Sequence, residues 1–400
     1  MEQNTYNKCP VCGYPLTQQS AVCPRCGNDI LEEISSLDQQ SRELHRKNIE
    51  EKKAVWYTRC LTEKLNCSQN PPAGSSETSG HRDNAASDPL GTVQPDFLRA
   101  ISRNELLQEG SARKKWWHAM SPDWKEIVKT TLKVVREPSD QELLDFLETT
   151  HLRCDNRRIH DLLPVRVLEK LQQLRCDESP VENLEPLMQL EKLQRLYAFD
   201  CDFSSLEPLR NIKSLKLLWI SSTQVSSLEP LRNLLNLEEL YCSETLVNEL
   251  SPLKELINLE KLSCYKTSIS SLEALGGLEN LIELGVNSSN VTDLTPLSSL
   301  SNLEYLRCNR TDIHSIEPLR ALSGLRELSI ANTPLVNIDP LEELVNIEEL
   351  DLSNTPVTSI SPIMHLQNLE KLELSPGCIP RTEIERFIEL HPECEVILKQ

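Results

Sequence analysis

The sequence predicts an α/β solenoid in which short parallel strands stack on one concave face, and three observations carry the prediction. Residues 206–227 read LEPLRNIKSLKLLWISSTQVSS, residues 228–249 read LEPLRNLLNLEELYCSETLVNE, and residues 338–359 read IDPLEELVNIEELDLSNTPVTS. A frame started every 22 residues from Asp140 gives eleven frames over residues 140–381 without insertion or deletion. Positions 1, 4, 7, 10, 13, 15 and 20 of a frame are apolar almost throughout, and position 3 is proline in nine frames. Self-similarity at a fixed period of this length is the signature of a stacked repeat array.

The two halves of a frame follow different periods. Positions 12 to 16 alternate around the inward residues 13 and 15, as a short strand does. Positions 1 to 10 space their apolar residues by three, as a tight helical turn does. Proline at position 3 begins that turn, where its missing N–H costs little. Ordering the chain costs on the order of 1–2 kcal/mol per residue, more than seven buried side chains return over one frame. A single frame therefore cannot fold alone, and stacking is obligatory.

The pattern LxPLxxLxxLxxLxLxxNxIxxL resembles the leucine-rich repeat family, in its 22-residue bacterial, internalin-like class, over about three-fifths of the chain. The resemblance implies a horseshoe whose concave face binds partners. One departure is consistent. Position 18, asparagine in that class, is threonine at Thr223, Thr245, Thr267, Thr311, Thr333 and Thr355, with Ser179 and Ser289 in two more frames. A buried hydroxyl can donate to and accept from backbone, so a threonine ladder is expected in place of the asparagine ladder. Arg157, Cys201 and Gly377 interrupt it.

Ahead of the array, residues 8–28 read KCPVCGYPLTQQSAVCPRCGN. Cys9 and Cys12 form one CPxCG knuckle and Cys23 and Cys26 a second, the spacing of a tetrahedral four-cysteine site for one structural zinc ion. The segment is similar to short bacterial zinc-ribbon modules and is read as a zinc ribbon over residues 1–29. The other reading is an unliganded or redox CxxC pair. Residues 30–65 are read as one helix, either a short coiled coil or, given its irregular apolar stripe, a solvated helix. Residues 66–95, rich in Ser, Asn, Gly and Pro, are read as a disordered linker.

Residues 96–139 are read as a helical N-terminal cap covering the open end of the array. Residues 96–108 are expected to form one helix, with Phe97, Ile101 and Leu106 inward. Ser121-Pro122-Asp123 starts another, along which Trp124, Ile127, Val128, Leu132 and Val135 recur at helical spacing. Arg113-Lys114-Lys115 and the lysines of that helix form either an anion-binding patch or a solvated cap face. Residues 382–400 are read as a C-terminal cap: a helix with Ile384, Phe387, Ile388 and Leu390 inward, then a last strand.

The aromatic residues of the array are placed unevenly. Positions 12, 14, 16 and 17 flank the inward strand residues and project from the concave face. They carry Arg175, Arg195, Tyr197, Phe199, Trp219, Tyr241, Lys261, Tyr265, Tyr305 and Arg307. Aromatics grouped on a solvent-facing sheet and flanked by cations have the composition of a partner-binding hot spot. The other reading is cross-strand packing that stiffens the sheet. Beyond them Glu327, Glu349, Asp351 and Glu373 make the far end of the face acidic.

Composition bounds the rest. The net charge is −19, and residues 140–400 carry −20 of it, with 23 Lys+Arg against 43 Asp+Glu. Such a surface repels a phosphate backbone. Met1 to Asn7 lacks a basic leader, and no run of 18 apolar residues occurs, so neither a signal peptide nor a membrane span is expected. Cys154, Cys176, Cys242, Cys264 and Cys308 fall at inward position 15, as core thiols of a reducing, cytoplasmic compartment. No GxGxxG, GxSxG, HExxH or phosphate-loop motif is present, and the eight histidines are scattered. The expected function is a non-enzymatic adaptor that binds a protein on the concave face. The alternatives are a nucleic-acid-associated regulator using the ribbon, which the near-neutral charge of residues 1–65 disfavours, and the recognition subunit of a split enzyme system.

Overall fold

A computed structural model describes residues 95–399 of the chain. The zinc ribbon, the helix over 30–65 and the linker up to residue 94 lie outside the described residues; Pro95, read as the linker's last residue, begins a helix. Twelve short parallel strands form one open sheet in strict sequence order. They are β1 (His151–Arg153), β2 (Gln173–Arg175), β3 (Arg195–Tyr197), β4 (Leu217–Trp219), β5 (Glu239–Tyr241) and β6 (Lys261–Ser263). They continue as β7 (Glu283–Gly285), β8 (Tyr305–Arg307), β9 (Glu327–Ser329), β10 (Glu349–Asp351), β11 (Lys371–Leu374) and β12 (Glu395–Leu398). From β1 to β11 the register equals the period: Leu174 sits against Leu196 and Leu196 against Leu218. The strands thus belong to successive frames and place like positions in columns.

Each of the ten frames from Leu162 onward opens with a 3-10 turn, such as Glu207–Leu209. Nine of these carry the proline; Glu273–Leu275 has Ala274 instead. The residues at positions 1, 4, 7, 10, 13, 15 and 20 line one continuous core, in which Leu218, Leu240 and Leu284 are fully buried. Cys154, Cys176, Cys242, Cys264 and Cys308 are buried there as free thiols. Burial pushes the Cys242 thiol up to about 12, so it behaves as a small hydrophobe.

Three features of the repeat differ from the expected pattern or add to it. Position 17 adopts a left-handed backbone in ten frames, with φ between 51° and 58°, although none of the ten residues is glycine. Asn, Asp, Ser, Glu, Lys and Arg all occupy it. Each conformation costs on the order of 1 kcal/mol, and the exposed N–H recovers part of this by donating to the next frame. Ser222 N donates to Ser243 O at 2.9 Å, and Lys266 N to Asn287 O at 2.7 Å.

The threonines do not form the expected ladder between frames. Each hydroxyl donates to a carbonyl three residues earlier in its own frame, as Thr245 does to Cys242 and Thr311 to Cys308, at 2.7 and 2.6 Å. The threonine hydroxyls all turn back onto their own frame. Only Ser179 and Cys201 reach back to the preceding frame, at the carbonyls of Cys154 and Cys176. An asparagine ladder exists nonetheless, at position 9. Asn236, Asn258, Asn280, Asn302, Asn346 and Asn368 each donate to a carbonyl of the preceding frame at 2.7–2.9 Å.

Five helices precede β1 among the described residues, four in the N-terminal cap and the last at the start of the first frame: α1 (Pro95–Ala100), α2 (Arg103–Gln108), α3 (Gly110–Ala119), α4 (Pro122–Leu132) and α5 (Asp140–Leu147). The single helix expected over 96–108 is broken, because Ser102 and Glu105 form a capping box that starts α2. The first frame opens with α5 instead of a 3-10 turn. Helix α4 ends at Leu132, where Lys133 turns left-handed, so Val135 is 95% exposed and outside the apolar stripe. Arg113 is no part of an anion patch: it is buried, and its guanidinium grips Asp140 at 2.5 and 2.7 Å. Buried Arg103 likewise donates to the carbonyls of Leu147 and Val167 at 2.6 and 3.0 Å, tying the cap to the first frames.

At the other end α6 (Arg381–Leu390) covers the core with Ile384 and Phe387. Ile388 and Leu390, expected inward, are 47% and 48% exposed. Strand β12 closes the array, paired with β11 in parallel.

Candidate interaction surface on the strand array

Strand positions 12 and 14 point away from the core, on the face that the repeat class makes concave, and position 16 follows at its margin. In β3, β4 and β5 the in-register residues Tyr197, Trp219 and Tyr241 form an aromatic run. The Trp219 ring lies 6.3 Å from Tyr197, 5.1 Å from Tyr241 and 5.4 Å from Phe199, with interplanar angles of 35–49°. Parallel strands about 4.8 Å apart impose these separations, and the tilts are those that aromatic quadrupoles prefer.

The members of the run differ in access. Trp219, Tyr241, Phe199 and Tyr265 are half-buried, and Arg195 is exposed. Tyr197, read from alternation as a contact residue, is only 3% exposed. Trp219 covers it on one side, and the Arg175 guanidinium lies over its ring at 5.3 Å on the other. Tyr197 therefore supports the surface from beneath, and burial pushes its hydroxyl up to about 12.

Carboxylates fix several of these groups. Arg175 donates to Asp177 at 3.0 Å, and the same carboxylate accepts the Phe199 backbone N–H at 3.2 Å. Burial pushes Asp177 up to about 6, with Arg175 opposing the shift. The Tyr241 hydroxyl donates to Glu239 at 2.6 Å, and Lys261 lies 3.8 Å from that residue. Lys266 sits over the Tyr265 ring at 5.8 Å. Arg307 is clamped between Glu283 at 2.7 Å and Glu327 at 2.5 and 2.7 Å. Burial works against its charge, but the two glutamates outweigh it and raise its pKa further.

The structure thus gathers Phe199, Trp219, Tyr241 and Arg195 around one centre, with Lys261 and Tyr265 beside it. Tyr305 and Arg307 stand further along, across β6 and β7. Sequence reasoning missed Asp177, Glu239 and Glu283. Their signal was present as carboxylates at outward positions next to the selected cations. No group of three or more His, Cys, Asp or Glu side chains able to hold a metal occurs among the described residues. Cys9, Cys12, Cys23 and Cys26 lie outside them. No helix among the described residues is long and apolar enough to cross a membrane.

A leucine-rich-repeat family profile, described as two copies of the repeat, matches residues 301–343. No curated protein sequence matches the chain. Among solved structures, an internalin, InlF of Listeria monocytogenes, superposes with a TM-score of 0.63 at 22% identity, over 70% of this chain and 89% of its own. The functional domain of InlJ from the same organism, which includes a cysteine ladder, gives a TM-score of 0.58 at 18% identity, over 72% of this chain and 70% of its own. The plant peptide hormone receptor RGFR1, in complex with RGF2, gives 0.51 at 16% identity, over 59% of this chain and 42% of its own. The fold is a leucine-rich-repeat solenoid.

Proposed function

We propose that the chain is a non-enzymatic adaptor whose concave face binds a protein partner at a patch centred on Trp219. The carrying observation is that Trp219, with Tyr241 and Phe199 tilted against it, stays half-exposed on a strand surface beside exposed Arg195. Rigid aromatic side chains with an adjacent arginine supply large contact area at low entropic cost, the composition of binding hot spots. RGFR1 was solved with RGF2 bound, but its likeness to this chain is one of fold, and the proposal stands on the patch. The non-enzymatic reading is supported by the described cysteines with shifted thiols, which burial raises away from the thiolate a nucleophile needs.

The test is a pull-down from host lysate with wild type beside a Trp219→Glu, Tyr241→Glu double variant. Both sites are on the outward face, so circular dichroism of the variant should match wild type. A partner captured by wild type and lost by the variant is the expected result. Equal capture moves the interaction elsewhere, and the aromatics become sheet packing. On spacing alone, we further propose that Cys9, Cys12, Cys23 and Cys26 hold one structural zinc, and on the free core thiols that the protein works in the cytoplasm. Metal analysis should find one equivalent of zinc in wild type and none after Cys9→Ser, Cys26→Ser.

A further inference from the structure

The two ends of the sheet are finished differently. At the first, α4 packs on β1, and Arg103 and Trp124 donate to the carbonyls of Leu147, Val167 and Asp161. At the other, β12 is the outer strand of the sheet among the described residues. Glu395 N–H donates to Glu370 O and Lys399 N–H to Leu374 O, both at 2.8 Å. Alternate residues of a parallel strand face the same neighbour, so Glu395, Ile397 and Lys399 turn toward β11. Val396 and Leu398 therefore turn their N–H and C=O groups to the open edge, a ready template for another strand.

Apolar side chains stand on the same end. Leu398 lies opposite buried Leu374, on the inward side of the sheet, yet half of it is exposed. Ile388 on α6 is also half-exposed. Glu383, five residues before it, accepts from the Ser359 hydroxyl and the Ile360 N–H of the frames behind. Five residues turn a helix by about 140° beyond a full turn, so Ile388 faces the open end. Leu390, seven residues after Glu383 and thus nearly in line with it, faces the other way.

We infer that β12 is the docking edge for a second copy of this chain, paired antiparallel with its own mate about a two-fold axis through Ile397. Only edge-facing residues can exchange hydrogen bonds, so Val396 meets Leu398 of the second copy and Leu398 meets its Val396. The same register sets Ile397 against Ile397 and Glu395 against Lys399, all on the concave side. Moving the axis one residue either way sets Ile397 against Glu395 or Lys399 instead. Glu395 is exposed and in no ion pair among the described residues, whereas Lys399 already bridges Asp351 and Glu373. The charge pair therefore selects the register more than it adds affinity. Behind the sheet, the axis brings together the open-end flanks of two α6 helices, each carrying Ile388. Strands this short bury less than a standard interface, so the dimer is weak. Because α4 covers the β1 end, association closes at two copies instead of growing into a filament. This contact is separate from the concave-face patch and joins two such faces in one sheet.

The test is sedimentation equilibrium of the full chain over about a hundredfold range of concentration. Wild type is expected to pass from one copy to two as concentration rises. Val396→Pro removes an N–H that makes no bond to β11, at a position where an edge strand tolerates proline. Its circular dichroism should match wild type while dimerisation weakens about tenfold or more. Ile388→Glu should weaken the dimer to a similar extent, and Leu390→Glu, as exposed but on the other flank of α6, should leave it unchanged. A chain that stays single at every concentration overturns the inference. So does a dimer that survives Val396→Pro, as one made through residues 30–65 would, or one that Leu390→Glu weakens as much as Ile388→Glu. A dimer lost in the Trp219→Glu, Tyr241→Glu variant places the contact on the concave face and overturns it as well.

Discussion

The strands around Trp219 and the strands around Asp351 solve one geometric problem in two ways. In both regions an outward residue recurs about every 4.8 Å across the sheet and must be compatible with its neighbours in the column. Over β3 to β5 the answer is aromatic: Tyr197, Trp219 and Tyr241 lean on one another. Over β8 to β11 it is ionic: Arg307 with Glu283 and Glu327, and Lys371 and Lys399 with Glu373. Tilted rings in contact stay apolar and insensitive to salt, and Trp219 and Tyr241 remain half-exposed. Ion pairs satisfy themselves and weaken as salt is added. The backbone beneath is the same; the difference lies entirely in the outward residues.

That last statement is the easiest to break. Leu240 in β5 and Leu350 in β10 are 0% and 1% exposed at the same frame position. Leu240→Ala and Leu350→Ala should each cost about 3 kcal/mol in denaturant unfolding, through lost burial and a residual cavity. A gap of more than about 1.5 kcal/mol between them would show that the cores differ too. The outward residues should then separate the regions. Trp219→Ala removes three ring contacts from a half-exposed site and should cost about 2 kcal/mol at any salt concentration. Arg307→Ala should cost about 1 kcal/mol at low salt, discounted because its side chain is 36% exposed, and almost nothing in 1 M salt. Equal salt dependence of the two variants would dissolve the contrast.

A pH titration sharpens the comparison at the aromatic end. Asp177 sits beneath the run, and burial raises it from 3.8 to about 6 against the pull of Arg175. A carboxyl with a raised folded pKa binds its proton more tightly in the folded chain than in the unfolded one. Its contribution to stability is therefore fully present below the unfolded value and is lost as pH rises through the folded value. From pH 4 to pH 7 the loss is on the order of 2 kcal/mol. In Asp177→Asn the amide oxygen can still accept the Phe199 N–H, but nothing titrates. Unfolding at pH 5 and pH 7 should show wild type losing stability relative to this variant as pH rises. A difference constant across that range would mean that Asp177 is ionised throughout.

The period, the prolines and the inward columns were legible because they repeat, and repetition averages out local exceptions. Legibility ended where a neighbour in space, not in sequence, decides. Alternation correctly put Tyr197 on the outward face, but only the rings and guanidinium on either side bury it. Position 17 gave no sign of its left-handed backbone, because the bond it donates to the next frame stands in for the glycine that usually marks one. The asparagine column at position 9 was visible in the letters. It was overlooked because the family pattern directed the reading to position 18, where the threonines bond within their own frame.

That ladder runs through both regions, on the flank of the array. It is unbroken through Asn236, Asn258, Asn280 and Asn302, misses one rung at Gly324, and resumes at Asn346 and Asn368. Two effects favour restoring it with Gly324→Asn: a new hydrogen bond, about 1 kcal/mol, and a less flexible unfolded chain, about 0.5 kcal/mol. One opposes it. A Cβ on Gly324 would lie 3.0 Å from the Ser301 carbonyl oxygen, a backbone atom that cannot swing away. The clash should win, because relieving it means shifting one frame against the next while the core beneath stays packed. Gly324→Asn is expected to lower stability by about 1 kcal/mol, as should Asn258→Ala, which only deletes a rung. Stabilisation by Gly324→Asn would mean that the acidic frames slide more easily than the aromatic ones, and that the glycine is a missing rung instead of a fitted one.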